Sequence, residues 1–157
     1  MDDQKIIIVK DSREPDVAWD AYFQSQCVTK CLQTGDYSIE NYETVVAIER
    51  KALGDLVSCL GVNRARFERE LQRARDFEYF CVLVEGTYAQ LASGDYLSRL
   101  HTNSAVESIS AFEVRYGIPF LFAGSQKLAA AKCESLLKKF HRERQKTVIT
   151  EDYDFPF

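Results

Sequence analysis

Short runs of β-branched and aromatic residues, separated by turn residues, predict six strands along the chain. The run TVVAIERK begins fully apolar and ends fully charged, so its C-terminal end is expected to leave the core. The predicted strands are Lys5–Lys10, Cys27–Leu32, Tyr37–Glu40, Thr44–Lys51, Glu78–Glu85 and Ile118–Phe122.

Apolar residues at helical spacing predict helices between these strands. Pro15 suits the first position of a helix, and four apolar residues follow it at Val17, Trp19, Tyr22 and Phe23. Ser104–Glu107 resembles a capping box and Gly117 a helix stop. The other predicted helices cover 52–60, 64–77, 104–116 and 125–144. A strand meander followed by alternating strands and helices predicts an α/β domain, with a mixed central sheet flanked by helices.

The chain has 157 residues, which suits one domain that folds without disulfides. We expect a single domain over 1–146 and an acidic aromatic tail over 147–157. No apolar run approaches the roughly 20 residues of a membrane span, and the acidic Met1–Gln4 segment lacks the basic start of a secretory signal. These features predict a soluble, cytoplasmic protein with no membrane partner.

The cysteines and histidines do not predict a zinc site. The five cysteines lie in apolar segments and are expected to be reduced core residues. Cys27 and Cys31 have the only metal-like spacing, no second pair follows, and the chain has only two histidines.

The charge is unevenly distributed, although the net charge is only −4. Residues 1–55 carry eleven acids against six bases, and residues 126–146 carry seven Lys or Arg against two acids. The acidic N-terminal part could bind cations, and the basic C-terminal part could bind phosphates.

Charged residues collect where predicted strands end. Strand alternation places Glu49 and Lys51 on one face and Arg50 on the other. Carboxylates such as Asp36 and Glu49 suit a hard cation, Mg²⁺ or Mn²⁺. Lys51 could orient or deprotonate an attacking water and offset charge on the phosphorus. The alternative is a set of solvated strand-end ion pairs, and a second triplet, Gly94-Asp95-Tyr96, is interpreted as a plain turn.

These motifs resemble the nuclease domain of the XPF family of structure-specific DNA endonucleases. The family signature is Gly-Asp, a spacer, Glu-Arg-Lys, three residues and Asp. Here it corresponds to Gly35-Asp36, twelve residues, Glu49-Arg50-Lys51, three residues and Asp55. Asp11-Ser12-Arg13-Glu14 matches the family's Asp-x-Arg-Glu after its first strand, and Arg64 fits an arginine that follows the last Asp. The match spans roughly residues 5–125.

The resemblance implies a restriction-endonuclease-like fold and metal-dependent cleavage of branched, flapped or forked DNA. It implies Asp11, Asp36 and Glu49 as metal-site acids binding Mg²⁺ or Mn²⁺, and Lys51 as the catalytic lysine. Arg13, Asp55 and Arg64 are implied as supporting residues. Arg50 is expected to brace neighbouring segments through a buried ion pair.

Two departures leave alternatives open. About thirty-five residues follow Phe122, too few for the tandem helix-hairpin-helix module of most members, so the chain resembles stand-alone bacterial or phage forms. Asn63 also replaces the glycine expected before Arg64. One alternative is a non-catalytic subunit for dimerisation or DNA binding. The other is a Holliday-junction or end-directed nuclease of the same fold.

Three segments are candidates for contacts with DNA or protein. In the arginine-rich stretch 64–75 we favour Arg64 as a phosphate contact. The other arginines of this stretch are interpreted as the solvated face of an amphipathic helix whose inner stripe is Phe67, Leu71 and Phe77. The basic helix 126–146 is a further candidate for contact with DNA. The aromatic segment Phe112–Phe122 predicts a homodimer, with packing in the core as the alternative. The tail Asp154-Phe155-Pro156-Phe157 resembles the tip of bacterial single-stranded DNA-binding proteins and could dock a partner protein, or fold onto its own domain.

Overall fold

The computed structural model describes residues 5–151, with side chains through residue 148. A six-stranded mixed sheet has helices on both faces, which confirms the predicted α/β class. The strands are β1 (Ile7–Asp11), β2 (Gln26–Lys30), β3 (Tyr37–Ile39), β4 (Val46–Ala52), β5 (Tyr79–Glu85) and β6 (Phe120–Phe122). The helices are α1 (Leu53–Leu60), α2 (Arg64–Ala74), α3 (Tyr88–Ser93), α4 (Thr102–Tyr116) and α5 (Gln126–Glu151).

The strand order is β2-β1-β3-β4-β5-β6. The predicted opening meander is wrong in one respect, because β1 and β2 are parallel and pair Val9 with Val28. A parallel pair needs a crossover connection, which residues 12–25 provide. The pairs β1–β3 and β3–β4 are antiparallel, whereas β4, β5 and β6 are mutually parallel.

Strand β4 lies in the middle of the sheet and sends alternate side chains to opposite faces. Ala47 joins one hydrophobic cluster, together with Phe67 and Leu71 of α2. Ile48 joins the other cluster, together with Ala130 and Cys133 of α5. The burial of Phe67 and Leu71 confirms two of the three residues predicted for the inner stripe of α2, whereas Phe77 lies beyond the end of the helix and is partly buried.

The helix predicted after Pro15 does not form. Only a 3₁₀ turn, Trp19–Tyr22, is present in the crossover. The buried Lys10 Nζ donates to the carbonyl oxygens of Pro15 and Asp16 and forms an ion pair with Asp20 at 3.2 Å. These carbonyls are therefore satisfied by a lysine rather than by a helix.

Other predicted boundaries also change. Helix α4 is capped by His101, whose Nδ1 accepts from the Asn103 N–H, and not by Ser104. A capping box is instead formed by Thr87 and Gln90 at the start of α3, a helix that the sequence analysis did not predict. Gly94 ends α3 in the left-handed conformation, in agreement with the predicted turn.

Helix α5 runs to Glu151, past the predicted end at residue 144 and past the predicted domain boundary at 146. The predicted tail contacts at Asp154–Phe157 lie outside the described residues. The cysteines are all free, but Cys31 is exposed, so the prediction that every cysteine belongs to the core is wrong there. Among the described residues, no helix is both long and apolar enough to span a membrane.

Candidate active site

The predicted acids and the lysine meet in one cleft of about 460 Å³, beside the C-terminal ends of β1 and β4. Helices α1 and α2 form its other wall. Six acidic and five basic residues line it: Asp11, Glu14, Asp36, Glu49, Asp55 and Glu70, with Arg13, Arg50, Lys51, Arg66 and Arg73. The motifs that lie apart in the sequence are therefore joined in the fold.

Asp36 is fixed between two strands by its own backbone and side chain. Its N–H donates to the Ile48 carbonyl at 2.9 Å, and its carbonyl accepts from the Asp11 N–H at 2.8 Å. The preceding Gly35 has φ +87°, and a Cβ there would lie 2.6 Å from that of Ala47. Glycine is therefore required at 35 for both conformation and space.

Asp11 is buried and holds the loops around it. Its Oδ1 accepts from the Leu32 N–H, and its Oδ2 accepts from Arg13 Nε, both at 2.8 Å. Oδ2 also accepts from the Arg13 main-chain N–H at 3.4 Å, whereas Oδ1 keeps a second lone pair, so Asp11 stays a candidate metal ligand.

Glu49 and Lys51 share one face of β4, as predicted, and Lys51 Nζ lies 3.1 Å from Glu49 Oε1. The Nζ also lies 5.5 Å from the ring centre of Phe67. Burial by itself would lower the pKa of Lys51, but the charges of Glu49 and Glu70 outweigh it and raise that pKa above its ordinary value. Lys51 is thus a cation that can donate hydrogen bonds, and it is poorly suited to deprotonate water in this state.

Three carboxyl groups, those of Asp36, Glu49 and Glu70, line the cleft together with this lysine. Burial and the charge of Glu14 raise the pKa of Asp36 to about 7. Burial and the charges of Asp36 and Glu70 raise the pKa of Glu49 well above its ordinary value. Neighbouring carboxylates repel one another, and a shared proton or a bound cation relieves that repulsion.

Oxygen ligands of this kind fit Mg²⁺ or Mn²⁺ by their chemistry. Within residues 5–151, no group of three or more His, Cys, Asp or Glu is arranged so that it could hold a metal ion. Asp36 and Glu49 both line the cleft, and a pair of carboxylates is enough for Mg²⁺, which keeps several waters. Metal binding by Asp11, Asp36 and Glu49 stays a prediction.

Arg50 lies on the opposite face of β4 and forms the ion pair predicted for it. Its Nε lies 2.8 Å from Glu85 Oε1, and its NH1 lies 3.6 Å from Glu14 Oε2. Trp19 Nε1 donates to the same Glu85 oxygen at 2.6 Å, and the Tyr37 hydroxyl donates to Glu14 at 3.1 Å. This network joins β4, β5 and the crossover beneath the cleft.

Arg64 is not among the residues that line the cleft. Its NH1 donates to Ser108 Oγ at 2.7 Å, and its guanidinium lies 4.6 Å from the ring centre of Phe112. It therefore braces α2 against α4, and Arg66 and Arg73 lie in the cleft instead of the favoured Arg64.

Helix α2 contributes three cleft residues that the sequence analysis did not select: Arg66, Glu70 and Arg73. Their i, i+4, i+7 spacing, which places them on one helix face, is the signal that could have identified them. The basic residues of α5 do not line the cleft, because α5 packs against the other face of the sheet.

Comparisons with known proteins agree with this fold. A family model described as the ERCC4 domain matches residues 10–136. XPF from Aeropyrum pernix is similar in structure, with a TM-score of 0.67 and 23% identity over 84% of this chain and 60% of that one. XPF from Aeropyrum pernix in complex with DNA has the same TM-score and identity, over 88% of this chain and 66% of that one. No curated protein sequence matches the chain.

The family match confirms the resemblance found in the sequence, and the two structures confirm the restriction-endonuclease-like fold. At 23% identity they bear on the fold alone. The chain spans 60% and 66% of their lengths.

Proposed function

The chain belongs to the ERCC4 domain family, and we propose that it is a divalent-metal-dependent DNA endonuclease. Its reaction is the hydrolysis of phosphodiester bonds at branched, flapped or forked DNA. The observation that carries this proposal is the convergence of Asp36, Glu49 and Lys51 in one cleft, where the buried Glu49 pairs with the protonated Lys51 and the half-buried Asp36 lines the same space.

Asp36 and Glu49 are the proposed ligands of Mg²⁺ or Mn²⁺, with Asp11 next to them. The bound cation would act as a Lewis acid toward the phosphodiester and lower the pKa of a water molecule. Lys51 donates hydrogen bonds to a phosphate oxygen and offsets the charge that develops during attack. Glu49 holds the Lys51 Nζ at 3.1 Å, so little reorganisation is needed as charge develops.

The remaining residues of the cleft have supporting roles. The exposed guanidinium groups of Arg66 and Arg73 suit the phosphates on either side of the scissile bond. Asp55 lines the cleft from the first turn of α1. Arg13 donates to the carboxylate of Asp11, and Arg50 links β4 to β5 through its ion pair with Glu85.

The proposed protein partner is a second copy of this chain. Beside the edge strand β6 lies an apolar hollow of about 410 Å³ that includes Phe122 and the exposed Leu128. The predicted aromatic segment contributes less than expected, because Phe112 is buried and the Tyr116 hydroxyl donates to Glu68. A sedimentation mass of one chain at micromolar concentration would contradict a stable dimer.

The test of the proposed activity is cleavage of labelled flap, fork and linear duplex substrates with Mg²⁺, with Mn²⁺ and with EDTA. We expect cleavage of the branched substrates with either cation and none with EDTA. Glu49→Gln should be inactive, whereas Glu107→Gln, which removes an exposed acid of α4, should match the wild type. Absence of cleavage of every substrate by the wild type would overturn the proposal.

A further inference from the structure

The outward face of α5 carries a row of basic residues to which the proposed reaction gives no role. Lys132, Lys139 and Lys146 are exposed and follow one another at intervals of seven residues, and the exposed Arg142 lies between the last two. Seven residues make two turns of an α-helix, so these lysines share one face and are spaced about 10.5 Å apart along its axis. We call these four residues the basic stripe.

The acidic residues of the same helix neutralise little of this charge. Residues 126–146 contain only two, Glu134 and Glu143. Glu134 is buried on the inward side, where its carboxylate accepts from two main-chain N–H groups of the crossover at 3.1 and 2.7 Å. Glu143 lies 3.0 Å from Lys146 Nζ. Within the described side chains, Lys139 and Arg142 form no ion pair within 4.0 Å, so both cations are available to a partner.

The basic stripe and the cleft lie on opposite sides of the molecule. Helix α5 packs on the sheet face opposite to α1 and α2, which form a wall of the cleft. The C-terminal half of α5 is fixed near the N-terminal ends of β4 and β5, because Arg144 Nε lies 3.2 Å from Glu78 Oε2 and Gln145 Nε2 donates to the Tyr42 hydroxyl at 3.2 Å. The cleft lies at the C-terminal end of β4, about 20 Å away along that strand. A straight duplex in the cleft therefore does not reach this half of the stripe.

We infer that the basic stripe binds the phosphates of a second duplex arm of branched DNA, while another arm lies in the cleft. The inference rests on the branched substrate of the proposed function, because only a branch lets one DNA molecule reach both surfaces. Lysine and arginine contact phosphates without reading sequence, and each contact releases counterions. Two surfaces that bind two arms of one molecule favour branched over linear DNA without any contact to the bases.

The binding experiment compares the wild type with Lys139→Gln/Arg142→Gln by fluorescence anisotropy in EDTA, so that no cleavage is needed. Lys132 is left unchanged because it also lines the apolar hollow beside β6. The two DNAs are a fork whose arms are all duplex and a linear duplex with the same number of base pairs. The variant should reduce the slope of log K against log salt for the fork by about 1.8, which is about 0.9 for each lost phosphate contact. Over a fourfold range of salt this amounts to about 12-fold in affinity, and the slope for the linear duplex should not change.

Two control variants separate the stripe from general charge. Lys139→Arg/Arg142→Lys keeps both charges and should match the wild type. Arg75→Gln/Arg99→Gln removes two exposed charges elsewhere and should leave the slope for the fork unchanged. The inference would be overturned by an unchanged slope for the fork in the stripe variant, by an equal fall for the fork and the linear duplex, or by an equal fall in Arg75→Gln/Arg99→Gln. Binding to vesicles of phosphatidylserine and phosphatidylcholine that is lost in the stripe variant, while binding of the fork is kept, would also overturn it and assign the stripe to an anionic membrane.

Removal of one arm of the fork supplies a second readout that changes no residue. The wild type should lose its preference for the fork over the linear duplex when the arm without the scissile bond is removed, whereas Lys139→Gln/Arg142→Gln should respond little. A wild type that binds the fork and the linear duplex equally would contradict a second arm site. If the wild type shows the expected binding but cleaves no substrate, the proposed nuclease activity fails and the role of the stripe stands.

Discussion

A hydrogen bond of 2.8 Å joins the main-chain N–H of Arg50 to Oδ2 of Asp36. It fixes the acid of the Gly-Asp turn to the strand that carries Glu49 and Lys51. Because the same turn also pairs with β1 through the Asp11 N–H, three chain segments are held in register at the cleft. The spacing of the motif residues thus corresponds to direct contacts between neighbouring strands.

The first prediction concerns the pH dependence of stability without metal. Burial and the charge of Glu14 raise the pKa of Asp36 from 3.8 to about 7. The folded state therefore holds this proton more tightly than the unfolded state, and the free energy of unfolding should fall as pH rises from about 4 through 7. Asp36→Asn removes this contribution, so in EDTA its melting temperature should decrease less than that of the wild type between pH 4 and 8.

Thermal melts at several pH values, with the exposed Glu107→Gln as control, test this prediction. Glu49 shifts in the same direction, so Asp36→Asn should reduce the slope rather than remove it. Equal slopes for Asp36→Asn and the wild type would contradict the raised pKa.

The second prediction concerns Lys51, a cation whose Nζ is held by Glu49. Lys51→Ala should lower kcat on the order of 10²- to 10³-fold, as does the removal of one preorganised donor from other active sites. Binding of DNA should change little, because Arg66 and Arg73 remain in the cleft. Single-turnover cleavage and fluorescence anisotropy measure the two effects separately. A variant that retains most of the wild-type rate would place the chemistry elsewhere.

The geometry of the Glu-Arg-Lys motif was predictable because it depends on local rules. Strand alternation alone places Glu49 and Lys51 on one face of β4 and Arg50 on the other, and the structure agrees. Glu70 and Arg66 were missed because helical spacing gives a shared face without saying what that face meets. Only the packing of α2 against the sheet determines it.

The fold shows the same limit. Runs of β-branched residues identified the strands, but the parallel pairing of β1 with β2 depends on the crossover and has no local signal. Pro15 and the apolar residues after it predicted a helix by propensity. The ammonium of Lys10 donates to two carbonyl oxygens of this segment, and the ring of Trp19 stacks on that of Tyr37 with 5.1 Å between the ring centres. These tertiary contacts override the local preference for a helix.

The third prediction concerns the stability of the network under the cleft. Arg50 and Glu85 are both mostly buried, with side chains 18% and 14% exposed. Arg50→Ala leaves Glu85 with Trp19 Nε1 as its remaining partner in this network and should lower the free energy of unfolding by about 3 kcal/mol or more. Urea unfolding tests it, and a double-mutant cycle with Glu85→Gln gives the coupling. Additive effects of the two substitutions would contradict a direct ion pair.

The last prediction separates the arginines of α2 by function. Arg66 and Arg73 line the cleft, whereas Arg64 packs on Phe112 and donates to Ser108. Arg66→Ala and Arg73→Ala should each weaken DNA binding, and each should reduce the slope of log K against log salt by about 0.9 if one phosphate contact is lost. Arg64→Ala should instead lower the melting temperature and leave that slope unchanged. The matched control is Arg75→Ala, which removes an exposed arginine outside the cleft lining. If Arg75→Ala reduced the slope of log K against log salt as much as Arg66→Ala does, the helix would bind DNA through its general charge and the prediction would be wrong.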